Sequence, residues 1–458
     1  MDKNESGTGE RETRGDDKFI LMTETPVESL VCRLAVPSII IMLVSALYNM
    51  ADTYFVGSLG TSAVAAVGVI FPLMAVIQAL GFLFGQGSGN YMSRELGARH
   101  FDRASKMAAT GFFSTLIAGV VLAVLGLVYA NPLALALGAT PTILPYAKEY
   151  MRFILIGMPW MAGSLVLNNQ LRFQGSSFYG MTGMLSGAVL NMLLDPLFIF
   201  VFGLGIKGAS AATMISQAVG CSVLLAGCSR KGNIGIHPGN FSPSLSNYRE
   251  IFRGGIPSLL RQGLMSVMAI VINRFAAVYG DAAIAAISIV NRVCMFAGSA
   301  VMGLGQGFQP VCGFNYGAKQ YDRVKQAFWF CVRLVSVVLT CICVILAISA
   351  PRVIALFRRD DAAVISIGTR ALRIQCAGLP FTGWLILCNM MMQTIGKSLQ
   401  ASFLALSRQG LFLLPCLLCF TPLWGLLGIQ ISPAASNIAS FFLAIPLGIG
   451  TLRQMRKE

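Results

Sequence analysis

Long apolar segments that follow one another with only short polar connections dominate this sequence. A helix needs about 20 apolar residues to cross the hydrocarbon core of a bilayer, and each of these segments is long enough. Hydrophobic residues make up 55% of the chain and charged residues 12%, about half the charged share of a soluble domain. These features predict an all-α polytopic membrane protein and exclude a soluble, disordered or collagen-like chain.

Twelve such segments can be recognised, in two groups of six. The expected membrane spans lie near residues 34–58, 62–89, 107–130, 146–170, 178–202, 208–228, 255–279, 282–311, 327–350, 366–392, 402–422 and 428–451. We therefore expect five parts, namely an N-terminal cytoplasmic tail (1–33), an amino-terminal lobe (34–228), a cytoplasmic connection (229–254), a carboxyl-terminal lobe (255–451) and a cytoplasmic C-terminal tail (452–458).

The distribution of lysine and arginine indicates the orientation in the membrane. Connections that hold Arg94 and Arg99, or Lys319 and Arg323, alternate with connections that carry little positive charge. Because positive residues favour the cytoplasmic side, both termini are expected inside the cell, in a multi-pass protein of the bacterial cytoplasmic membrane. The net charge of +15 then reflects topology, and no nucleic-acid partner is expected. The N-terminal tail does not resemble a cleaved export signal.

The two groups of segments are repeats of one another. Shifting residues 37–103 by 220 positions gives 14 identities in 67 positions. Gly85 to Gly87 align with Gly305 to Gly307, and Gly60 aligns with Gly280. Because a shift by six helices preserves topology, the repeats are parallel, which predicts two pseudo-symmetric six-helix lobes around a central cleft, as in a transporter.

Two aspartates stand alone in long uncharged stretches of the first lobe. Asp52 is the only charge between Arg33 and Arg94, and Asp195 is the only charge between Arg172 and Lys207. A carboxylate in the middle of a membrane helix costs about 2.5 to 3.5 kcal/mol on insertion scales, so such residues are functional candidates. The alternative is that each aspartate lies near the outer interface or caps a helix bend.

Asn191 and Thr213 are expected close to these carboxylates. Asn191 precedes Asp195 by one helical turn, and Thr213 lies at a similar depth on the next helix. Carboxylate, amide and hydroxyl oxygens suit a proton or Na⁺ and are poor ligands for zinc. Two neighbouring carboxylates in a medium of low dielectric constant do not both ionise readily, which predicts a proton switch. No cofactor is expected beyond this coupling ion.

Pro37 lies fifteen residues before Asp52 in the same apolar segment. Proline removes a backbone hydrogen bond, so Pro37 could let this helix bend when a cation binds near Asp52. The alternative is that Pro37 only marks the entrance of the helix.

Several motifs together resemble the multidrug and toxic compound extrusion (MATE) family of twelve-helix, cation-coupled antiporters, in particular bacterial multidrug exporters of the staphylococcal type. The resemblance covers nearly the whole chain after the tail and rests on Pro37, DTYFVGSLG (52–60), the GQG triplets at 85 and 305, and NMLLDPLFI (191–199). It implies that the proton or Na⁺ binds at Asp52, Asn191, Asp195 and Thr213, with Tyr150 and Asn168 as neighbours. Since the second lobe has no mid-helix carboxylate, coupling is expected in the first lobe only.

The substrate cavity is predicted from less specific features, namely composition and the positions of methionine and arginine residues. The chain holds 22 methionines and 29 phenylalanines, which offer adaptable apolar walls. Met42, Met158 and Met184 lie in first-lobe segments, where buried carboxylates beside them would suit varied lipophilic cations. In the second lobe, Arg292 lies about ten residues inside its segment and needs a partner, water or substrate there.

These observations predict a monomeric antiporter that exports amphipathic, cationic drugs by alternating access while H⁺ or Na⁺ moves inward. A lipid-linked oligosaccharide flippase with the same two lobes is the first alternative, and a basic residue such as Arg292 would suit it. An integral-membrane enzyme is the second, although a histidine-based acid–base cluster is absent from a chain with two histidines. The GQGSG stretch (85–89) lacks the Lys-Ser/Thr of a phosphate loop and is expected to form a helix-end turn, so no ATP site is predicted.

Overall fold

The computed structural model describes residues 18–230, 232–357 and 361–455. Within these ranges every regular element is a helix, which confirms the all-α prediction. A short helix α1 includes residues 18–24. The α-helices that follow it are α2 (Val27–Gly57), α3 (Thr61–Gly97), α4 (Phe101–Val128), α5 (Ala130–Ala136), α6 (Leu144–Phe173), α7 (Ser177–Pro196), α8 (Ile206–Cys228), α9 (Leu245–Ala277), α10 (Asp281–Gly317), α11 (Tyr321–Phe357), α12 (Ala362–Gly378), α13 (Pro380–Thr394), α14 (Ser398–Leu406), α15 (Leu413–Trp424) and α16 (Leu426–Gln454).

The described helices can form up to twelve membrane spans, as the sequence predicted. Eleven are long and apolar enough on their own or as a continuous stretch, and α12 and α13 form one further span that is bent by 50°. This bend lies next to Pro380, whose ring cannot continue the hydrogen-bond ladder of the preceding helix. Two spans contain a π-helical stretch, Leu197–Val201 directly after α7 and Ser407–Phe412 between α14 and α15.

The prediction of a helix-end turn at residues 85–89 is wrong, because α3 continues through these residues to Gly97. The residues that end the apolar segment are polar, but they are buried and hydrogen-bonded. Gln86 is 1% exposed and donates to Asn169 Oδ1 at 3.1 Å, and Asn90 is fully buried and donates to the carbonyl of Gln86 at 2.7 Å. Because these buried polar side chains are hydrogen-bonded, the helix can extend beyond the apolar segment that hydropathy identifies.

Part of the expected N-terminal tail is also structured. Helix α1 and the start of α2 at Val27 fall inside the range predicted as a polar tail, while residues 1–17 lie outside the described residues. Met22 is fully buried, and the guanidinium carbon of Arg99 lies 4.3 Å from the ring centroid of Phe19. The short apolar run around Met22 is thus long enough to fix α1 to the protein, although it is too short to read as a span.

The backbone repeats the internal duplication of the sequence. Positive φ angles occur at matched turns, with 62° at Arg99 and 58° at Lys319, which are 220 positions apart. Left-handed residues other than glycine are uncommon, so their coincidence in both halves is strong evidence for one repeated design. Two glycine pairs with positive φ follow the same spacing, Gly60 with Gly280 and Gly205 with Gly425, and a third pair, Gly175 with Gly396, is one residue further apart.

The described chain divides into two compact units. The first contains residues 18–25, 36–255 and 313–319, and the second contains 26–35, 256–312 and 320–455. The start of α2 therefore belongs to the second unit, while the rest of α2 belongs to the first. In the same way, the start of α9 belongs to the first unit and the rest of α9 to the second. Each of these helices changes unit just before a proline, α2 before Pro37 and α9 before Pro257.

Two equivalent glycines, one in each unit, permit close packing between helices of the same unit. In the first unit, a Cβ added to Gly87 would lie 2.1 Å from the carbonyl oxygen of Ile251 on α9. In the second, a Cβ added to Gly307 would lie 2.5 Å from Cα of Ala35 on α2. The GQG triplets are therefore packing sites at which only glycine leaves room for the neighbouring backbone.

Candidate functional site

Helix α6 organises the first unit, because it packs against α3, α4, α7 and α8. Helices α7 and α8 also approach each other closely. A Cβ added to Gly187 would lie 3.2 Å from the carbonyl oxygen of Ser216, and one added to Gly183 would lie 2.4 Å from Leu224. These small residues bring α7, with its polar side chains, against α8.

Asn191, Asp195 and Thr213 meet where α7 and α8 pack. The Asn191 amide nitrogen donates to Asp195 Oδ2 at 2.9 Å, and its oxygen accepts from the backbone nitrogen of Thr213 at 3.1 Å. All three side chains are at most 1% exposed. The three residues predicted from spacing therefore form one buried hydrogen-bonded group.

The backbone next to Asp195 is irregular. Pro196 follows it and cannot donate a backbone hydrogen bond, and the helix then widens into the π-helical stretch Leu197–Val201. Such π-helical insertions frequently accompany functional sites. The chain can change shape at this point more easily than in a regular helix.

Asp52 on α2 joins the same group. It is partly buried, and its carboxyl group is close enough to that of Asp195 for the two to interact electrostatically. Asp52 Oδ1 and Asp195 Oδ1 are both buried and have no hydrogen-bond partner among the described residues. Two acidic oxygens in one low-dielectric region therefore remain available to a proton or to a cation.

Two tyrosines complete this group. Tyr150 on α6 is 2% exposed and, like Tyr48 on α2, lies within electrostatic range of Asp52 and Asp195. Tyr48 also interacts with the side chain of Thr213. We call these six residues the aspartate cluster: Tyr48, Asp52, Tyr150, Asn191, Asp195 and Thr213.

Tyr48 is the member that sequence reasoning missed. It precedes Asp52 by four residues, the same spacing that placed Asn191 with Asp195 on one helix face. That rule would have found it. Tyrosine is common in membrane helices, however. No residue on another helix was matched to Tyr48 by its depth in the membrane, so Tyr48 could not be distinguished from a packing residue.

The residues predicted for the substrate cavity lie in different surroundings. Met158 is 1% exposed and belongs to the apolar core that also contains Tyr150. Met42 and Met184 are partly buried, and Arg292 is exposed on α10 without a hydrogen bond or ion pair to another described residue.

Asn168 lies far from the aspartate cluster along the helix axis. A Cβ added to Gly180 would lie 2.7 Å from Asn168 Oδ1, so Asn168 is next to the start of α7. Gly180 and Asp195 are fifteen residues apart, about 22 Å at 1.5 Å per residue. The two positions are therefore near opposite ends of α7.

Pro37 lies inside α2, ten residues after the helix begins, and does not mark its entrance. It is buried and follows the point between Ala35 and Val36 where α2 changes unit. Its missing N–H leaves one helical carbonyl without its usual donor. The helix that carries Asp52 therefore has a weak point about four turns away.

Comparisons with known proteins agree with this architecture. A sequence profile described as MatE matches residues 37–197 and 257–418, one match in each repeat. The multidrug export protein MepA of Staphylococcus haemolyticus is 29% identical over 432 residues, which cover 94% of this chain and 95% of that protein. MepA of Staphylococcus saprophyticus is 30% identical over 422 residues, which cover 90% and 92%.

A solved structure is similar over the same length. An outward-facing multidrug resistance MATE family transporter of the MOP superfamily superposes with a TM-score of 0.90 at 27% sequence identity. The match covers 96% of this chain and 98% of that chain. The prediction of a two-lobed polytopic fold with up to twelve spans is confirmed.

Proposed function

Because this chain belongs to the MATE family of ion-coupled membrane transporters, we propose that it exports amphipathic, lipophilic cations from the cell while H⁺ or Na⁺ moves inward. The resemblance drawn from the sequence motifs is confirmed, and the chain is a secondary transporter and not an enzyme. Multidrug exporters among its relatives make an oligosaccharide flippase the less favoured function.

One observation carries the coupling part of this proposal. Asp52 and Asp195 interact inside the first unit, and each has a buried oxygen without a hydrogen-bond partner among the described residues. Two carboxylates in such surroundings repel each other when both are ionised. Binding of one positive ion removes that repulsion, so the local structure depends on the occupancy of the cluster.

The hydrogen bonds suggest how cation binding changes the helices. Asn191 donates to Asp195 and accepts from Thr213, so any movement of the Asp195 carboxyl is passed to α8. Asp52 responds to the same charge and lies on α2, which Pro37 allows to bend. Export then requires that the cation-bound and drug-bound proteins favour different conformations.

The choice between H⁺ and Na⁺ depends on the hydroxyl and amide oxygens. A proton needs only one carboxylate, whereas Na⁺ needs several oxygens, which Thr213, Asn191 and the tyrosines could add to the carboxylates. Thr213→Ala is therefore expected to weaken export driven by Na⁺ more than export driven by a pH gradient. Equal losses would assign the coupling to protons.

We propose the remaining features on the basis of charge and composition. Lys and Arg residues in alternate connections support a cytoplasmic location for both termini and a place for the protein in the cytoplasmic membrane. Both units lie in one chain, which supports a monomeric transporter. Acidic oxygens beside apolar walls favour lipophilic cations as substrates.

Ethidium efflux from proteoliposomes tests this function. A pH gradient and a Na⁺ gradient are imposed separately on the wild-type protein, and at least one of them should drive efflux against the ethidium gradient. Asp52→Asn should abolish this efflux, whereas Asp281→Asn, which changes an exposed carboxylate at the start of α10, should leave it intact. Efflux that does not change with either the pH gradient or the Na⁺ gradient would disprove cation-coupled export.

A further inference from the structure

An open groove of about 520 Å³ runs along one face of α12 in the second unit. Four of its lining residues are polar and two are isoleucines, and the exposed members include both arginines. We call these six residues the arginine groove: Ile365, Ser366, Thr369, Arg370, Arg373 and Ile374.

The arginine groove lies outside the packed core of its unit. Val364, Ala371 and Leu372 belong to an apolar core cluster, and they lie on the side of α12 that is buried. With 3.6 residues per turn, Arg370 and Arg373 point away from that side. The groove therefore opens on the surface of the second unit, where a ligand can enter without disturbing the core.

The guanidinium groups of the arginine groove have donors to spare. Arg373 Nε donates to the carbonyl of Ala347 on α11 at 3.2 Å, which fixes the side chain and leaves Nη1 and Nη2 without a partner among the described residues. Arg370 forms no hydrogen bond or ion pair to another described residue. The carboxylate of Asp361 is occupied at the start of α12, where it accepts from the backbone nitrogens of Ala363 and Val364. Two guanidinium groups three residues apart on one helix are suited to the oxygens of a phosphate.

The depth of the groove matches the boundary between acyl chains and headgroups. Helix α11 has 37 residues and is about 55 Å long, so about 12 Å protrudes on each side of a hydrocarbon core of about 30 Å when the helix is centred. Ala347 lies ten residues before the end of α11 at Phe357, about 15 Å along the axis. Arg373, which is bonded to Ala347, is therefore placed close to the level of the lipid phosphates.

The charge of this region is unusual for its side of the membrane. The connection between α11 and α12 is one of those expected outside the cell, where positive residues are disfavoured. Residues 352–373 nevertheless contain five arginines and two aspartates. Arginines that do not serve topology at this position require another role, and basic pockets on membrane helices bind anionic headgroups.

Apolar surface lies directly beside the donors. Ile365 and Ile374 line the groove, and Ile348 on α11, next to Ala347, is 76% exposed. A free phosphate ion offers the same oxygens as a lipid headgroup but would make no use of these isoleucines. The combination of guanidinium groups and exposed isoleucines therefore favours a ligand that carries both a phosphate and acyl chains.

We propose that the arginine groove binds the phosphate of an anionic phospholipid, whose acyl chains lie along the isoleucines beside it. The site belongs to the second unit and is separate from the aspartate cluster. It does not depend on which compound is exported or on which ion drives export.

Native mass spectrometry of the delipidated protein in detergent tests this site. The probes are dioleoyl phosphatidylglycerol and dioleoyl phosphatidylcholine, added in equal amounts. The wild type should prefer phosphatidylglycerol, and Arg370→Gln and Arg373→Gln should each weaken its binding about fivefold, the value expected for one basic residue near a membrane surface. The double variant should retain one phosphatidylglycerol fewer than the wild type.

Arg333→Gln is the matched control. Arg333 is an exposed arginine twelve residues after the start of α11, and Arg373 lies eleven residues after the start of α12, so each is about 17 Å from the nearest helix end. The two lie on opposite sides of the membrane, and Arg333→Gln should bind phosphatidylglycerol like the wild type. Melting temperatures measured without lipid should be equal for all variants, which shows that they are folded, and added phosphatidylglycerol should stabilise the wild type more than the double variant.

Four results would overturn the proposal. The first two are unchanged phosphatidylglycerol binding in the double variant and an equal loss in Arg333→Gln. The third is equal affinity of the wild type for phosphatidylcholine, which would show that the charge of the headgroup is not recognised. The fourth is displacement of phosphatidylglycerol by inorganic phosphate at the same concentration, which would assign the groove to a free anion.

Discussion

Asn191 connects Asp195 to Thr213 through the two ends of a single amide group. Its nitrogen donates to Asp195 Oδ2 at 2.9 Å, and its oxygen accepts from the Thr213 backbone nitrogen at 3.1 Å. The connection joins α7 to α8 and leaves Asp195 Oδ1 buried without a partner among the described residues. A change of charge at Asp195 must therefore alter contacts between two helices.

Replacing Asn191 by leucine tests this connection. Asn191→Leu keeps a similar volume but removes both hydrogen bonds, and a hydrogen bond to a charged group contributes about 1.5 to 3 kcal/mol. Gradient-driven ethidium efflux should fall about tenfold or more. Ser186→Ala is the matched control, because the side-chain hydrogen bond of Ser186 to the described residues is one to the Gly183 carbonyl within α7. Efflux within twofold of wild type in Asn191→Leu would show that the connection is dispensable.

Tyr48 should adjust cation binding at the aspartate cluster. Its side chain interacts with Thr213 and lies near both carboxyl groups, so Tyr48→Phe removes one polar group from the cluster. A neutral hydrogen bond contributes about 1 kcal/mol, so the cation concentration for half-maximal export should rise about fivefold. Tyr54→Phe, at a side chain that is 76% exposed on the same helix, should leave this concentration unchanged. Equal behaviour of the two variants would exclude Tyr48 from the site.

Gly307 is expected to be essential for packing in the second unit. Gly307→Ala places a Cβ 2.5 Å from Ala35 Cα, and overpacking of this kind costs about 1 to 3 kcal/mol. The melting temperature in detergent should fall by several degrees. Gly298→Ala lies on the same helix with no atom within 4 Å of the added Cβ, so it should not destabilise the protein. If both variants melt like the wild type, the helices adjust freely and the close approach is unimportant.

Lys18 should make stability depend on pH. Its ammonium group donates to Ser176 Oγ at 2.8 Å, to Asn233 Oδ1 at 2.8 Å and to the Gly232 carbonyl at 3.1 Å, which fixes α1. Burial lowers the pKa of Lys18 from 10.5 to about 7. Between these values the unfolded chain binds more protons than the folded one, so the contribution of Lys18 to stability rises with pH.

The variant Lys18→Met removes that dependence. The difference in melting temperature between the wild type and the variant should shift in favour of the wild type as the pH rises from 7 towards 10. Parallel curves for the two proteins over this range would mean that Lys18 has an ordinary pKa in the folded state.

Much of the architecture could be predicted from the sequence because it depends on hydropathy and on repetition. Membrane spans need long apolar segments, and the 220-residue shift is visible in residues such as Gly60 and Gly280, whose positive φ angles now explain their identity. Asp52 and Asp195 stood out because charge is costly in lipid. Asn191 and Thr213 followed from helical spacing and matched depth.

Other features depend on which helix faces meet, and hydropathy does not record this. The continuation of α3 beyond residue 89 needs partners such as Asn169, which is distant in sequence. Helix α1 is stabilised by Ser176 and Asn233, which also lie far along the chain. Arg408 looked like an interruption of its span, whereas the structure places it in a π-helical stretch.

The most direct test of the central claim measures the cation and not the drug. Proteoliposomes are loaded with ethidium and placed in ethidium-free buffer without an ion gradient, and internal pH and Na⁺ are followed with fluorescent indicators. Outward flow of ethidium through the wild-type protein should pull H⁺ or Na⁺ inward, and Asp195→Asn should abolish this uptake while Asp281→Asn retains it. Ethidium outflow without cation uptake in the wild type, or unchanged uptake in Asp195→Asn, would contradict the account.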